Sequence, residues 1–402
     1  MLDVAAALAT IRDAMPRYAG ESVPLAAANG RVLHQDIVAE RDQPPFDRVT
    51  MDGIALRHSA LAAGRRRFRI AGTQHAGDAV SRLHSDADCI EVMTGAVLPA
   101  GTDCVVPVER LDIRDGMATL EDGYRADAGQ YVHARGSDHR RGHTTLTRGR
   151  RITPIDIALI ASAGCARVRV AAQPAVRVVS TGNELVPAGL PVAAQQIRLS
   201  NGPALLAMLA ARGYRDCRHE HLRDEPATLR TRLAALLEES QVLVLSGGVS
   251  MGKADFVPQV LAELGVENVF HKIAQRPGKP LWFGRGPGGQ VVFALPGNPV
   301  STLVCCRHYV LPALAHAAGA APAAPAAAVL AADYRFAADL TCFLPVRLAS
   351  DDAGHLVATP VPTNTSGDFT ALSATDGYVE LARGESLFAA GSVHPLYRWS
   401  AE

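Results

Sequence analysis

Beyond Pro174 the chain repeats one rhythm, a short run of branched apolar residues followed by a helix-length segment, and that rhythm admits few folds. Residues 176–180, 217–222, 242–245, 269–273 and 291–295 read as strands. Continuous β-branched runs suit strands buried on both faces. Residues 203–212, 226–239, 256–264 and 300–318 read as helices, the second with Asp224 as a candidate cap. Such alternation predicts a doubly wound, mainly parallel α/β sheet covered on both sides. Ligands of these sheets sit beyond the carboxyl ends of the strands. Thr181-Gly182, Asp224, Ser246-Gly247-Gly248 and Pro296-Gly297-Asn298-Pro299 all fall at such ends.

The flanking segments read differently. Residues 2–15 carry apolar side chains at Val4, Leu8, Ile11 and Met15, an amphipathic helix rather than a signal peptide. From about 22 to 150, short apolar runs alternate with Gly, Pro and Asp-Gly turns, which predicts β-rich structure. Residues 154–163 look helical, with Thr153 as cap. Residues 319–328 read as an Ala/Pro linker, and strands expected near 344–348, 355–359, 378–381 and 393–397 predict a small C-terminal β-barrel. The expected domains are 1–173, with an inserted β-rich domain at about 45–140, then 174–318 and 326–402.

Forty basic and forty acidic side chains cancel, so no global field points to nucleic acid or membrane. The run Arg65-Arg66-Arg67-Phe68-Arg69 reads as a solvated strand face. Seven cysteines without a Cys-x-x-Cys pair predict free, mostly buried thiols and a cytoplasmic setting. His139 with His143, and His219 with His221, lack a third ligand and do not make a metal site.

The chemistry concentrates around residues 246–255. Ser246, Gly247 and Gly248 end a buried strand, where backbone N–H groups approach a ligand closely and favour an anion. Ser250 and Asp255 follow before a helix. A carboxylate beside an anion implies a bridging cation or a ligand donor, hence a phosphorylated ligand with a divalent metal. Lys272, Arg276 and Lys279 lie on a loop stiffened by Pro277 and Pro280, three cations suited to a polyanion. Asn298 and Pro299 fit the start of a helix. Glu184, Asp52 and Asp138 are loop acids that matter only if the fold brings them to the cleft.

In chain order, Met51-Asp52-Gly53, Met93-Thr94-Gly95-Ala96, Arg135-Gly136 with Asp138, Ser180-Thr181-Gly182 with Glu184, Arg223-Asp224, the 246–255 segment, Arg276-Pro277-Gly278-Lys279-Pro280 and Leu295-Pro296-Gly297-Asn298-Pro299-Val300 resemble the molybdopterin molybdenumtransferase (MoeA) family, which includes the C-terminal domain of gephyrin. The resemblance implies Mg²⁺-dependent release of AMP from adenylylated molybdopterin and insertion of molybdate. It implies a homodimer with a composite cleft, with a molybdopterin adenylyltransferase and molybdoenzyme clients as partners. By the same resemblance Asp52, Asp138, Glu184, Asp224 and Asp255 are the catalytic acids, and Asp224, Asp255 and Glu184 hold the metal. Thr94, Thr181, Gly182, Ser246, Gly247, Gly248, Ser250, Lys272, Arg276, Lys279, Pro296, Asn298, Pro299 and Ser366 bind the cofactor. Ile54, Ser137, Asn183 and Pro345 depart from the family's usual pattern, although Arg347 points to the same strand face as Pro345. The competing expectation is a cofactor-binding or scaffold paralog without insertase activity.

Overall fold

The computed structural model describes residues 1–248 and 256–400. The chain divides into two compact units, one of residues 36–147 and 154–166, the other of residues 1–35, 148–153 and 167–402.

The first unit is built on Gly53–Leu56 (β1), Arg67–Gln74 (β2), Asp88–Val92 (β3), Cys104–Pro107 (β4), Leu111–Arg114 (β5) and Met117–Leu120 (β6). They form one sheet in the order β4-β1-β3-β2-β6-β5. Ile54, Leu56, Phe68, Cys89 and Val106 fill one face, and Ala55, Ile90, Val92 and Val105 the other. Alternate side chains point to opposite faces of a strand. In the basic run, Arg69 pairs with the Asp88 carboxylate at 2.9 Å and Arg66 donates to the Tyr124 carbonyl, while Phe68 is buried.

The second unit opens with Val4–Ala14 (α1), capped by the Asp3 side chain on the Ala6 N–H at 2.7 Å. Its α/β part comprises Val176–Thr181 (β7), Asn201–Ala211 (α2), Cys217–Leu222 (β8), Pro226–Glu239 (α3), Val242–Ser246 (β9), Val257–Glu263 (α4), Glu267–His271 (β10), Trp282–Arg285 (β11), Val291–Leu295 (β12), Pro299–Cys305 (α5) and Leu311–Ala317 (α6). The strand order is β8-β7-β9-β12-β11-β10. The first four run parallel, and β11 and β10 complete the sheet antiparallel. Register explains the double winding. Val176, Val178, Val242, Val244, Val291 and Phe293 pack against α1, α2, α5 and α6, whereas Val179, Leu243, Leu245, Val292 and Ala294 pack against α3 and α4.

Ala326–Leu330 (β13), Thr341–Ser350 (β14), Leu356–Pro360 (β15), Gly377–Leu381 (β16) and Val393–Arg398 (β17) close into a five-stranded barrel, because β14 pairs with both β15 and β16. Closure removes the exposed edges that an open sheet would present.

Several local expectations shift. Strand β11 escaped the sequence reading because Trp282-Phe283-Gly284-Arg285 is short and interrupted by glycine. The strand expected at 269–273 starts two residues earlier, and helix α2 starts at Asn201. The helix expected over 300–318 is broken by a π-helical stretch, Cys306–Val310, between α5 and α6. The Ala/Pro stretch is not linker throughout, since residues 326–328 pair with β17. Among the described residues no helix is long and apolar enough to cross a membrane.

Candidate active site

The parallel sheet has one point where the chain reverses the direction in which it lays strands. Strand β7 lies between its successor β8 and the third strand β9. A crevice opens at the carboxyl ends of such a strand pair. Thr181 ends β7 there, and Gly247-Gly248 follows β9. Both glycines adopt left-handed backbone, with φ of +100° and +68°. A Cβ on Gly247 would lie 2.7 Å from the Thr181 carbonyl oxygen, and one on Gly248 would lie 2.6 Å from Val257 Cγ2. The turn therefore has no room for any other residue.

The Thr181 hydroxyl is 4 % exposed and has no hydrogen-bond partner among the described residues. A Cβ on either glycine would come within 2.9 Å of the Thr181 side chain or carbonyl, so the hydroxyl faces this turn. A dry, unpaired hydroxyl costs about 1–3 kcal/mol. It is the kind of group a ligand would satisfy.

Ser246 is placed differently from its motif reading. Its hydroxyl is 2 % exposed and accepts a hydrogen bond from Asn201 Nδ2 at 2.9 Å. The Gly247 N–H donates to the Leu295 carbonyl at 3.2 Å. The Ser246 oxygen and the Gly247 N–H are thus engaged inside the protein, which the small-residue motif alone does not reveal. Ser250 and Asp255 lie outside the described residues.

Two acids occupy the adjoining strand ends. Gly182 has φ +148°, and a Cβ there would sit 2.7 Å from Glu184 Oε2, so glycine lets the Glu184 carboxylate fold over the end of β7. Asn183 Oδ1 accepts the Asp224 N–H at 3.2 Å and ties the two loops together. Asp224 does not cap α3; Glu225 holds the cap position, and its carboxylate accepts from the Thr228 hydroxyl at 3.1 Å rather than from a helix N–H. His219 and His221 pin β8 to β7, through Ser180 Oγ at 3.0 Å and the Gly182 carbonyl at 2.8 Å. Burial, then the neighbouring His221, depresses the His219 pKa.

After β12, Pro296 is buried and Asn298 takes the N-cap position of α5, with Pro299 first in the helix. The Asn298 side chain does not cap. Its Nδ2 donates to Ser366 Oγ at 2.7 Å, and the Val300 N–H donates to the Ser366 carbonyl at 3.0 Å. Ser366 thereby joins the rim from far along the sequence.

The basic loop follows β10, whose carboxyl end faces the same way as those of the parallel strands. Lys272 adopts φ +74° and is half-buried, whereas Arg276 and Lys279 are exposed. Beneath them Gln275 is fully buried. It donates to the Pro277 carbonyl at 3.1 Å and accepts from the Tyr309 hydroxyl. A Cβ on Gly278 would lie 2.4 Å from Cys305 Sγ. Gln275–Arg276 also pairs with Thr341–Cys342 of the barrel, and the Thr341 N–H donates to the Ala274 carbonyl at 2.9 Å. The cations thus ride on a loop held from two sides. Five strand spacings separate β8 from β10 and four separate β7 from β10, so Asp224 and Glu184 lie about 24 Å and about 19 Å from the basic loop along the rim.

The first unit carries the other predicted acids. Asp52 Oδ1 accepts both the hydroxyl and the N–H of Thr94 at 2.7 Å each. Those bonds, side chain first, hold its carboxyl below the usual carboxylate range. Gly53 is required behind it, since a Cβ would lie 2.0 Å from the Val106 carbonyl oxygen. Asp138 Oδ1 contacts His133 Nε2 at 2.9 Å, and His133 Nδ1 contacts Arg48 Nη2 at 3.1 Å. Arg48–Val49 pairs with Val132–His133, and the Gly95 N–H donates to the Val49 carbonyl at 2.9 Å. Asp52, Thr94 and Asp138 therefore gather around one short strand. Both Asp52 and Asp138 are exposed.

Sequence reasoning missed Asn201 and Gln275. The signal for Asn201 was an Asn-Gly pair opening a helix after a strand end; Gln275 left none, standing as an ordinary polar residue beside Arg276.

Comparisons with known proteins agree along the chain. Residues 2–164 match the MoeA N-terminal region (domain I and II), residues 177–316 a probable molybdopterin binding domain, and residues 327–398 the MoeA C-terminal region (domain IV). A molybdopterin molybdenumtransferase of Synechocystis is 38 % identical over 400 residues, covering 99 % of this chain and 100 % of that protein. One from Staphylococcus aureus is 30 % identical, covering 92 % of this chain and 89 % of that protein. The crystal structure of molybdopterin biosynthesis protein MoeA from Pyrococcus horikoshii superposes with a TM-score of 0.82 at 25 % identity, covering 99 % of this chain and all of that one. With three regions matched in order and relatives alike end to end, the chain belongs to the molybdopterin molybdenumtransferase family.

Proposed function

We propose that this protein inserts molybdenum into molybdopterin, taking the adenylylated form as substrate and releasing AMP. The observation that carries this reading is the rim itself. Acids at one end, a glycine turn with an unpaired hydroxyl between and cations about 19 to 24 Å from the acids suit one long, anionic ligand. A pterin joined to a nucleotide through phosphates has that length and charge. Thr181 and the turn at Gly247-Gly248 would hold its middle, and Lys272, Arg276 and Lys279 would attract molybdate or phosphate oxygens.

Asp224 and Glu184 offer hard oxygen donors on neighbouring strand ends. Among the described residues no group of three His, Cys, Asp or Glu side chains could hold a metal ion by itself. Mg²⁺ does not need one, because it is commonly held by one or two carboxylates together with substrate phosphates. When bound it would stabilise charge on the leaving phosphate. Asp52 and Asp138, facing solvent in their own unit, would complete the cleft of a second copy in a homodimer. A cytoplasmic setting fits the free thiols, whose pKa values burial raises at Cys89, Cys104 and Cys342 to about 12.

The test supplies purified protein with adenylylated molybdopterin, Mg²⁺ and molybdate, and follows AMP release and reconstitution of an apo-molybdoenzyme. Asp224→Ala is expected to slow AMP release about 100-fold or more. Binding of molybdopterin without AMP release from the unmodified protein would instead support the cofactor-binding or scaffold reading. Thr181→Val offers a separate check. It should raise the melting temperature, by removing a buried unpaired hydroxyl, while weakening substrate binding about tenfold. A loss of both properties would place Thr181 in the core rather than at the ligand.

A further inference from the structure

Asn201 is the first residue of α2, and one carboxamide there reaches both turns that would cradle the ligand. Its Nδ2 lies 2.9 Å from Ser246 Oγ, 2.7 Å from the Gly297 carbonyl oxygen and 3.2 Å from Thr302 Oγ1. Ser246 ends β9 and leads into Gly247-Gly248, Gly297 belongs to the turn after β12, and Thr302 lies one turn into α5.

Pairing of β9 with β12 sets the register as far as Ser246 and Leu295, and the turns beyond it meet through a few contacts. They touch at glycine, where a Cβ on Gly297 would sit 3.5 Å from Gly247 Cα. The Gly247 N–H reaches the Leu295 carbonyl at 3.2 Å. The Thr302 hydroxyl donates to the Pro296 carbonyl, bracing the second turn, and lies 3.5 Å from Ser246 Oγ, a longer link between the two turns. A terminal amide supplies two N–H donors and no carboxylate or hydroxyl of similar size can. With Ser246 Oγ held by Asn201, Thr181 carries the unpaired hydroxyl at this crevice among the described residues.

We propose that Asn201 is a positioning residue for the transfer reaction, fixing the spacing between the turn at 246–248 and the turn at 296–299 so that both meet the same ligand. The proposal rests on the functional reading above, because it assigns the two turns to one substrate. Asn201 touches no reacting atom in this role. Its loss should weaken binding far more than it slows the bound complex.

Asn201→Asp keeps the shape and removes the NH₂ donors; Asn201→Ser provides a smaller variant should the new carboxylate disturb folding. In protein without substrate, hydrogen exchange at the amides of 246–248 and 297 should quicken about tenfold in both variants, while the barrel strands keep their protection. With adenylylated molybdopterin, Mg²⁺ and molybdate, KM for AMP release should rise about tenfold with kcat changed less than about threefold. Unchanged exchange at both turns overturns the clamp. So does loss of protection throughout the barrel, or a fall in kcat without a change in KM. If the unmodified protein releases no AMP, the functional reading fails, and the exchange measurement still decides whether Asn201 holds the turns.

Discussion

In the homodimer proposed above, two variants that are each inactive alone should together regain about one quarter of wild-type turnover once their subunits reassort. The pair is Asp52→Ala and Gly248→Val. Gly248→Val forces a side chain into left-handed backbone and against Val257, at 2.6 Å for the first carbon alone. Displacing a ligand turn in this way should cost at least about 100-fold in rate. Asp52→Ala frees Thr94 and removes a carboxylate that two hydrogen bonds hold in place. If each cleft draws Asp52 from one copy and the glycine turn from the other, half of the dimers are mixed, and one of the two clefts in each mixed dimer carries neither lesion. Activity is read as AMP release after co-expression or after mild unfolding and refolding of a mixture. Recovery no greater than the sum of the separate variants would mean that Asp52 does not serve a partner's cleft.

Acid should destabilise the second unit through His308. This ring is 2 % exposed, in the π-helical stretch between α5 and α6. Its Nδ1 lies 3.1 Å from the Tyr378 hydroxyl, and the rings of Phe343, Tyr397 and Tyr309 lie 4.4, 4.7 and 4.9 Å away. Burial, reinforced by Arg307, pushes its pKa down to about 3. The folded protein therefore keeps the imidazole neutral where the unfolded chain takes up a proton. The stability from neutral His308 is fully present above the unfolded pKa, near 6.5, and is lost as pH falls toward the folded value. Each pH unit in that window should remove about 1.4 kcal/mol, or about 2 kcal/mol between neutral pH and pH 5. Urea unfolding across this range measures the slope. His308→Asn retains a group that can bond Tyr378 but cannot titrate there. Its stability should be lower at neutral pH and vary less below it. An unchanged slope would show that another group governs the acid response.

The α/β sheet was legible because β7, β9 and β12 are short runs rich in Val and Leu, a pattern that survives without tertiary information. Strand β11 was not, since a glycine interrupts it and Trp282 earns its place only by burial between β12 and β10. The strand-end motifs do fall at the carboxyl ends of β7, β9 and β12, but the sequence does not show which of their atoms face outward. The text Ser246-Gly247-Gly248 suggests a free hydroxyl, and only the fold shows Asn201, 45 positions earlier, taking it. The same holds for Asn298, which reads as a cap and turns instead to Ser366, 68 positions later. Short-range rules reward the nearest backbone donor; long-range contacts compete for the same side chain and here prevail. Gln275 shows the converse difficulty, because its buried carboxamide is defined by the Tyr309 hydroxyl, which arrives from a helical stretch 34 positions later.

Because Arg276 lies in register with Cys342, part of the rim's positive charge is carried by a short strand that pairs with a stave of the barrel. Insertions or fusions at the barrel's outer loops would then tune affinity for an anion without touching any residue at the cleft. A truncated protein lacking residues 326–402 should not be expected to keep its grip on phosphate merely because its sheet is complete.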